Sequence, residues 1–243
     1  MNFYAVIIGT EILNGRREDK HFQFIKKELL KYGHELFASF IIKDDKELIS
    51  NTFKMIKNDT KSIMFSFGGI GSTPDDLTRA IASNVFRDSK LEVHEKFLED
   101  IISKFKDEAY PHRIHMADLP PTSQLLFNPI NNMSGFSLDD RFFFTPGFPS
   151  MSHPMVENVI QQLFNKSIKK FRLTLLAETS EEKFITLMQK LPKSIELSCL
   201  PMFIETKPNV ELSLKGEDEN EVEQYFNLFV DKLNNEQINY KII

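Results

Sequence analysis

Residues 65–82 read FSFGGIGSTPDDLTRAIA, and this stretch decides how the rest of the chain is interpreted. An apolar run, Ile63–Phe67, ends in a GGxG pattern and is followed by a Ser-Thr-Pro triplet and an amphipathic segment. Glycine lets the backbone approach a ligand closely, and the free N–H groups at a helix start attract anions. A strand that reaches a helix through such a loop predicts a phosphate cradle. Its candidate ligand-binding residues are Gly68, Gly69, Gly71, Ser72 and Thr73.

Asp75 and Asp76 follow this triplet, where the helix is expected to begin. Carboxylates at this place repel a phosphate unless a cation lies between them, so the segment indicates a metal ion together with a phosphate group. A structural explanation also fits. Thr73 is a good N-cap, Pro74 suits the first helical position, and acidic residues in the first turn favour the helix dipole. The two interpretations remain open at this point.

Composition limits the class of protein. The 243 residues allow one large domain or two modest ones, and 41% hydrophobic and 27% charged residues are typical of a globular protein. The net charge of −5 gives no basic footprint for nucleic acid or for an anionic membrane. The single cysteine, Cys199, rules out an internal disulfide, and the apolar N-terminal run Phe3–Ile8 is too short for a signal or a membrane span. We therefore predict a cytoplasmic protein.

Apolar periodicity predicts alternating strands and helices through the first two-thirds of the chain. This order, with strands that are apolar on both faces, predicts an α/β fold of three layers in which a mostly parallel sheet is covered by helices on both sides. The segment from Asn131 to Gly135 has the composition of a turn. The predicted strands are Phe3–Gly9, Leu36–Ile42, Ile63–Phe67, Leu125–Phe127 and Phe142–Phe144.

A short polar and basic stretch near Asn165–Lys170 marks a predicted boundary between a domain of residues 1–165 and a small domain of residues 166–243. The second part has the order βαββαβ, which is typical of a ferredoxin-like α+β domain. Its predicted strands are Phe171–Ala177, Ile195–Phe203, Val210–Leu214 and Tyr240–Ile243.

The ends of the other predicted strands carry further candidates, because ligands of open parallel sheets bind beyond the carboxyl ends of the strands. Thr10 and Glu11 follow the first strand, and Glu11 is either a metal ligand or an ion-pair partner of Arg16 or Arg17. Gly147, in the TPGFPS turn, either brings backbone N–H groups to a ligand or serves a rigid turn.

Asp44 and Asp45 follow the second strand, and one of them is expected to cap the next helix. The other is then free. Carboxylates from two strand ends suit a divalent cation such as Mg²⁺ or Mn²⁺ bound together with a pyrophosphate. We predict that Asp44 and Asp76 hold this metal, with Glu11 as a third ligand. The alternative is that both aspartates merely begin helices.

Basic residues in two other places are weaker candidates for an anion. His112, Arg113 and His115 lie in a predicted loop, where such side chains are most often solvated. Lys20 and His21 stand at the start of the first predicted helix and are slightly better placed.

Several motifs occur together and in order over residues 1–165: IGTEILNG followed by Asp19 and Gln23, the aspartate of IIKDD, GGIGSTPDDLTRAIA, and FNP…GF…TPGFPSM. In this combination the chain resembles the molybdopterin-binding (MoaB/Mog-like) superfamily, and within it the N-terminal domain of the CinA competence/damage-inducible proteins. The small βαββαβ part resembles the second domain of CinA. We expect the C-terminal amidohydrolase domain to be lacking, so nicotinamide-nucleotide deamidation is not carried over.

The resemblance implies a pterin or nucleotide-phosphate site at the strand ends and, for the CinA branch, metal-dependent cleavage of ADP-ribose-like or FAD-like pyrophosphates. It also leaves open a homo-oligomer, because the resembled families self-associate. Two positions depart from the pattern: Phe67 stands where Thr or Ser is usual before the glycines, and His21 stands where CinA commonly has Asn. The positions that match the functional motifs are Thr10, Glu11, Asp44, Gly68, Gly69, Gly71, Thr73, Asp76 and Gly147.

The sequence thus favours a nucleotide pyrophosphatase that uses Mg²⁺, Mn²⁺ or Co²⁺, with Asp44 and Asp76 as catalytic residues. The first alternative is a protein of molybdenum cofactor metabolism that binds or adenylylates molybdopterin in the same pocket. The second is a nucleotide-binding protein without turnover, in which the aspartates only cap helices.

Overall fold

The structure is a computed structural model that describes residues 1–167 and 169–243. The chain divides into two compact units, Met1–Ser167 and Ile168–Ile243.

The first unit alternates strands and helices. Its strands are β1 (Asn2–Ile8), β2 (Leu36–Ile42), β3 (Ser62–Phe67), β4 (Glu92–Val93), β5 (Asp118–Leu119), β6 (Gln124–Leu126), β7 (Gly135–Leu138) and β8 (Phe142–Thr145). Its α-helices are α1 (Thr10–Leu13), α2 (His21–Leu30), α3 (Lys46–Asn58), α4 (Thr78–Arg87), α5 (Glu95–Phe105) and α6 (Pro149–Leu163). Two 3-10 helices, Lys106–Ala109 and Arg113–Ala117, follow α5.

Six of these strands form one sheet in the order β2-β1-β3-β8-β7-β6. The first four are parallel to one another, and β7 and β6 extend the sheet as antiparallel strands. Helices α3, α4 and α5 contribute to the apolar cluster on one face, and α2 and α6 contribute to the cluster on the other. The predicted three-layer α/β fold with a mostly parallel sheet is confirmed.

Strand β1 shows why the sheet is covered on both faces. Its side chains alternate between the two clusters, and every residue from Phe3 to Ile8 is buried. Successive side chains of a strand point to opposite faces, so a strand that is apolar throughout requires cover on each side. The α3 side receives Tyr4, Val6 and Ile8, and the α2 side receives Phe3, Ala5 and Ile7.

The strand order places a topological switch point between β1 and β3. From β1 the chain crosses outward to β2 through α2, and it then returns over α3 to β3 on the other side of β1. The crevice beyond the carboxyl ends of strands at such a point is the usual ligand site of open α/β sheets. Here the ends of β1, β2, β3 and β8 meet at one edge because the four strands are parallel.

The structure extends one detail of the sequence-based prediction and shows another to be wrong. The predicted turn Asn131–Gly135 does contain a turn at Asn131, but Gly135 begins strand β7, which was not predicted and whose four residues are all buried between β6 and β8. The helix after the glycine loop begins at Thr78, so Thr73 is not its N-cap and Pro74 is not its first residue. Hydrogen bonds within residues 73–77 form a separate turn ahead of α4.

The second unit has strands β9 (Phe171–Ala177), β10 (Glu196–Ile204), β11 (Lys207–Gly216) and β12 (Tyr240–Ile242), with helices α7 (Ile185–Met188) and α8 (Glu219–Asn235). The strands form an antiparallel sheet in the order β10-β11-β9-β12, which is the ferredoxin-like arrangement expected from the βαββαβ order. The first helical segment of this unit consists of a 3-10 helix (Glu181–Phe184) followed by the single turn of α7. No helix among the described residues is long and apolar enough to span a membrane.

Phe53 in α3 allows a test of the core on the α3 side of the sheet. Its ring is fully buried, and its centroid lies 5.7 Å from those of Phe86 and Phe144. Truncation leaves a cavity, so Phe53→Ala is expected to lower the free energy of unfolding by about 3–5 kcal/mol. The control is Phe37→Ala on β2, whose side chain is 63% exposed and should cost less than about 1 kcal/mol. Urea unfolding measures both, and equal losses would contradict this assignment of the core.

Candidate functional site

A cleft of about 660 Å³ opens at the sheet edge where β1, β2, β3 and β8 end. This volume lies within the range of small-molecule sites, roughly 300–1,000 Å³. Nearly all of the sequence-predicted site residues line it: Glu11, Asp44, Gly68, Gly69, Gly71, Ser72, Thr73, Asp76 and Gly147. The remaining one, Thr10, holds Asp44 by hydrogen bonds.

The first two glycines of the loop are required by the backbone. Gly68 has φ of +102° and Gly69 has φ of +71°, in the region that side chains rarely adopt. A Cβ on Gly68 would lie 2.3 Å from the carbonyl oxygen of Ile8 at the end of β1, and one on Gly69 would lie 2.3 Å from Oγ1 of Thr78. The loop therefore turns tightly against the end of the neighbouring strand.

Residues of helix α4 hold the glycine loop by donating hydrogen bonds to the carbonyl groups of the loop. Thr78 donates its backbone N–H to the carbonyl of Gly69 and its hydroxyl to the carbonyl of Gly68, both at 3.0 Å. The buried guanidinium of Arg79 donates to the carbonyl of Gly71 at 2.6 Å and also to that of His115. The loop carbonyls are thus bound by the protein.

Four backbone N–H groups of the glycine loop, unlike its carbonyl groups, have no protein partner among the described residues. Within residues 1–167 and 169–243, none of the backbone N–H groups of Gly69, Ile70, Gly71 and Ser72 donates a hydrogen bond to another protein group. All four residues line the cleft. Successive free amides of this kind form a nest that binds anions. The Thr73 amide, by contrast, is bound by Asp76.

One threonine holds Asp76 in place. Oδ2 of Asp76 accepts hydrogen bonds from the backbone N–H of Thr73 at 2.8 Å and from its hydroxyl at 2.6 Å. Because α4 begins only at Thr78, Asp76 is not a first-turn residue of a helix, and the explanation of Asp75 and Asp76 as helix-start residues does not hold.

A second threonine holds Asp44 in the same manner. Oδ2 of Asp44 accepts from the backbone N–H of Thr10 at 2.8 Å and from its hydroxyl at 2.9 Å. The cap of α3 is the neighbouring Asp45, whose carboxylate accepts from the N–H of Leu48 at 2.8 Å. The prediction that one of the two aspartates caps this helix and leaves the other free of that task is confirmed.

The two aspartates thus present the same pattern of bonded and free oxygens. In each, Oδ2 is held by a threonine, and Oδ1 makes no hydrogen bond within the described residues. Glu11 also lines the cleft, and in the described chain no ion pair joins it to Arg16 or Arg17. Nor do three His, Cys, Asp or Glu side chains of the described residues cluster as ligands of one ion. A purely protein-built metal cage, with Glu11 as the third ligand, is therefore not found here.

The TPGFPS turn forms a second wall of the cleft, beside the glycine loop. Gly147 packs against the glycine loop, since a Cβ on it would lie 3.4 Å from Cα of Gly68, which is ordinary contact. The turn leads into α6, whose N-cap residue Phe148 makes no side-chain capping bond, and Phe148 also lines the cleft. The N-terminus of a helix carries a partial positive charge that favours an anion.

The far end of the cleft combines apolar side chains with cations. Its aromatic and sulfur-containing side chains are Phe97, Phe105, Met116, Met133 and Met151. Three basic side chains, those of Arg17, Lys104 and Arg113, line the cleft as well. The guanidinium of Arg113 lies 4.4 Å from the ring centroid of Phe105. Of the loop candidates, Arg113 lines the cleft, whereas Nδ1 of His115 lies within hydrogen-bond distance, 2.8 Å, of Oδ2 of Asp118.

Sequence reasoning missed Arg79. Its side chain is only 8% exposed, and burial lowers the pKa of its guanidinium, an effect partly offset by the negative charges of Asp76 and Asp118. The sequence offered no signal for this residue while the helix was expected to begin at Pro74. With the observed start at Thr78, Arg79 falls in the first turn, where a cation opposes the helix dipole and needs a compensating partner. Here the partners are carbonyl groups of the loop and of residues 115 and 118. The other unpredicted contributors are Arg17 and Lys104, which the chain brings to the cleft from distant positions.

Comparison with known proteins identifies the family of the first unit. The profile of the family described as "Probable molybdopterin binding domain" matches residues 4–166. A CinA-like protein of Flavobacterium psychrophilum is 31% identical over 252 residues, which cover 96% of this chain and 58% of that protein. A CinA-like protein of Desulfotalea psychrophila is 28% identical over 234 residues, covering 90% and 55%. The chain thus spans little more than half the length of these two relatives.

A solved structure supports the same relationship. The crystal structure of "the protein CinA with unknown function" from Thermoplasma acidophilum superimposes with a TM-score of 0.59 and 25% identity, over 66% of this chain and 96% of that one. The family profile covers well over half of the chain, including every residue of the glycine loop and both threonine-held aspartates. The chain therefore belongs to the family of molybdopterin-binding domains, and its relatives include CinA-like proteins.

Proposed function

We propose that the cleft binds a nucleotide through its pyrophosphate and cleaves that pyrophosphate with a divalent metal ion, as a CinA-type nucleotide pyrophosphatase. The observation that carries the proposal is the run of four unpaired amides at Gly69–Ser72, which lines the same cleft as the free oxygens of Asp44 and Asp76. Amide groups alone would bind any anion. Amide groups beside carboxylates favour an anion that binds together with a metal cation.

The chemistry of the donors fits a hard ion such as Mg²⁺, Mn²⁺ or Co²⁺. Magnesium is usually bound by one or two carboxylates together with water and the phosphates of the ligand, rather than by a complete protein cage. Asp44 and Asp76 offer one free oxygen each, and the described residues hold no cluster of three ligating side chains. When bound, such a metal neutralises charge on phosphorus and makes a bound water more acidic.

The residues of the chain have separate tasks in this proposal. The amides of Gly69, Ile70, Gly71 and Ser72 bind the phosphate oxygens, and the start of α6 adds its partial positive charge from the other wall. Thr10 and Thr73 fix the orientation of the two catalytic aspartates before the ligand arrives. Such preorganisation removes the cost of ordering these side chains during the reaction.

The apolar end of the cleft supports a ligand with a flat ring, such as ADP-ribose or FAD. Phe97, Phe105 and the neighbouring methionines provide the surface that an aromatic base prefers. Arg17, Lys104 and Arg113 balance the charge of a diphosphate in a chain whose net charge is −5.

Substitution of the two aspartates tests the chemical step. Asp44→Asn and Asp76→Asn keep an oxygen that accepts from the threonine but remove the charge. Each is expected to lower metal-dependent cleavage of ADP-ribose or FAD at least about 100-fold, equivalent to about 2.7 kcal/mol. Product formation with Mg²⁺, Mn²⁺ or Co²⁺ measures this.

The matched control is Asp45→Asn, one residue away from Asp44. Asn is as good an N-cap as Asp, so this variant should retain both activity and stability. Wild-type product levels in Asp76→Asn would remove the catalytic assignment, and a lower melting temperature with unchanged ligand affinity would favour a purely structural role.

The loop itself is tested by Gly68→Ala. This change adds backbone strain and a Cβ only 2.3 Å from the carbonyl of Ile8, so the loop must shift away from β1. We expect binding of inorganic pyrophosphate to become undetectable by calorimetry. Gly15→Ala is the control, since Gly15 also has positive φ (+77°) but nothing lies within 4 Å of its added Cβ. It should cost about 1–2 kcal/mol of stability and leave pyrophosphate binding intact. Equal binding by both variants would contradict the assigned role of the loop.

A second candidate function is supported by the family profile, whose description names molybdopterin. Under this alternative the same amides bind the pterin phosphate, and the protein binds or adenylylates molybdopterin. Protein purified from cells that make molybdenum cofactor should then carry pterin fluorescence, or should form adenylylated pterin from ATP. Absence of both, with cleavage of ADP-ribose, would decide for the pyrophosphatase.

A further inference from the structure

Two neighbouring histidines, the buried His21 and the half-buried His153, are not used by the proposed reaction. His21, the first residue of α2, is only 3% exposed. Its ring stacks on Phe67, directly before the glycine loop, with centroids 4.4 Å apart. Its Nε2 lies 3.2 Å from the carbonyl oxygen of Gly147 in the TPGFPS turn. His21 thus contacts both the strand end before the glycine loop and the TPGFPS turn.

This contact fixes the protonation of the neutral ring. A carbonyl oxygen only accepts hydrogen bonds, so Nε2 of His21 carries the proton and Nδ1 carries a lone pair. Nδ1 is buried and has no hydrogen-bond partner within the described structure. A second proton, on Nδ1, would place a charged N–H where no acceptor is available. Such a buried, unpaired charge is strongly unfavourable.

His153 on α6 reinforces this preference. Its ring stacks on Phe24 at 3.6 Å and meets the His21 ring edge-on, with centroids 5.3 Å apart. Its Nε2 is also buried without a partner among the described residues. Two imidazoles this close cannot both become charged at low cost.

We propose that His21 is a positioning residue whose Nε2–H holds the Gly147 turn against the glycine loop, and that protonation of the His21–His153 pair at acidic pH loosens this part of the cleft and weakens anion binding. A proton on Nδ1 leaves the Nε2–H bond to Gly147 in place. The loosening comes from the cost of a buried charge with no acceptor among the described residues, which exceeds the gain from that bond. The proposal concerns regulation of the cleft and rests on the proposed function for the identity of the anion. The geometric contact between His21 and Gly147 stands without it.

The charged groups around the His21–His153 pair do not reverse the preference for neutral imidazoles. On the α2 side, Asp19 accepts from the backbone N–H groups of His21 and Phe22, and Glu28 is paired with Lys31 at 2.6 Å. Both carboxylates favour a protonated His153, and the Gly147 hydrogen bond and Asp19 favour a protonated His21, but burial is the larger effect at each ring. From β3, the ring of Phe67 packs against His21, and from the TPGFPS turn, the carbonyl of Gly147 accepts its hydrogen bond. Neither group titrates.

The direction of the pH effect follows from these surroundings. Burial lowers the pKa of His21, and burial together with the neighbouring His21 lowers the pKa of His153 to about 4. Both imidazoles are neutral above the ordinary value of about 6.5, where the contribution of the neutral pair to stability is complete. As the pH falls from about 6.5 towards 4, the unfolded chain binds protons that the folded chain does not, so stability is lost in that window.

The test compares three proteins by calorimetric titration with ADP-ribose alone, a probe whose diphosphate diester stays ionised across the range used. As the pH falls from about 7 to about 5, the wild type should lose affinity by a factor of about two, with a steeper loss below about pH 5, because both pKa values lie below the ordinary range. His21→Gln retains an N–H donor at the position of Nε2 but cannot titrate, so its affinity should stay constant. His34→Gln is the matched control. His34 is also buried and its Nε2 is 2.9 Å from the carbonyl of Phe164, but it does not line the cleft. It should behave like the wild type.

A second readout needs neither a variant nor a ligand. In an NMR titration of the wild type, both imidazoles should titrate below the ordinary range, and the Gly147 amide signal should shift as His21 becomes protonated. The proposal is overturned if His21→Gln loses affinity as steeply as the wild type, or if the Gly147 amide does not respond to protonation of His21. If ADP-ribose binds to none of the proteins but the Gly147 amide follows His21, the proposed function fails and the positioning role of His21 stands.

Discussion

The close approach of Gly68 to the carbonyl of Ile8 is the contact on which the site depends. It joins the ends of β1 and β3 at the point where the chain order of the sheet reverses, and it leaves no room for a side chain. Thr78 and Arg79 bind the carbonyls of Gly68, Gly69 and Gly71, and in the described part of the chain the amides of Gly69–Ser72 remain without a protein partner. The loop is thus anchored through its carbonyls, and its amides form the nest.

Hydrogen bonds also fix the positions of the charged groups in the cleft. Each of the two aspartates is held through one oxygen by the amide and hydroxyl of a threonine, so its second oxygen keeps a defined direction. The buried Arg79 lies near Asp76 and offsets part of its negative charge. This places carboxylates and amides in one cleft without leaving the carboxylates free to bind the amides themselves.

Regular parts of the fold were predictable from the sequence, and the irregular ones were not. Strand β2 was predicted with its observed ends, because a continuous apolar run between polar flanks has few other structures available. Strand β7 was missed because its short run begins with glycine and follows Asn131, Asn132 and Ser134, which are typical of turns. The start of α4 was misplaced because side-chain hydrogen bonds from Thr73 to Asp76 compete with the helical pattern.

The sequence by itself determined the three-layer fold, the ferredoxin-like second unit and the residues at the strand ends, because periodicity, glycine and short polar motifs act locally along the chain. It could not determine which of Asp44 and Asp45 caps α3, that Thr10 holds the other, or that Arg79 binds the glycine loop and His21 contacts the TPGFPS turn. Those facts depend on pairs of residues far apart in the chain, whose distances are decided only when the sheet and both helical layers pack together.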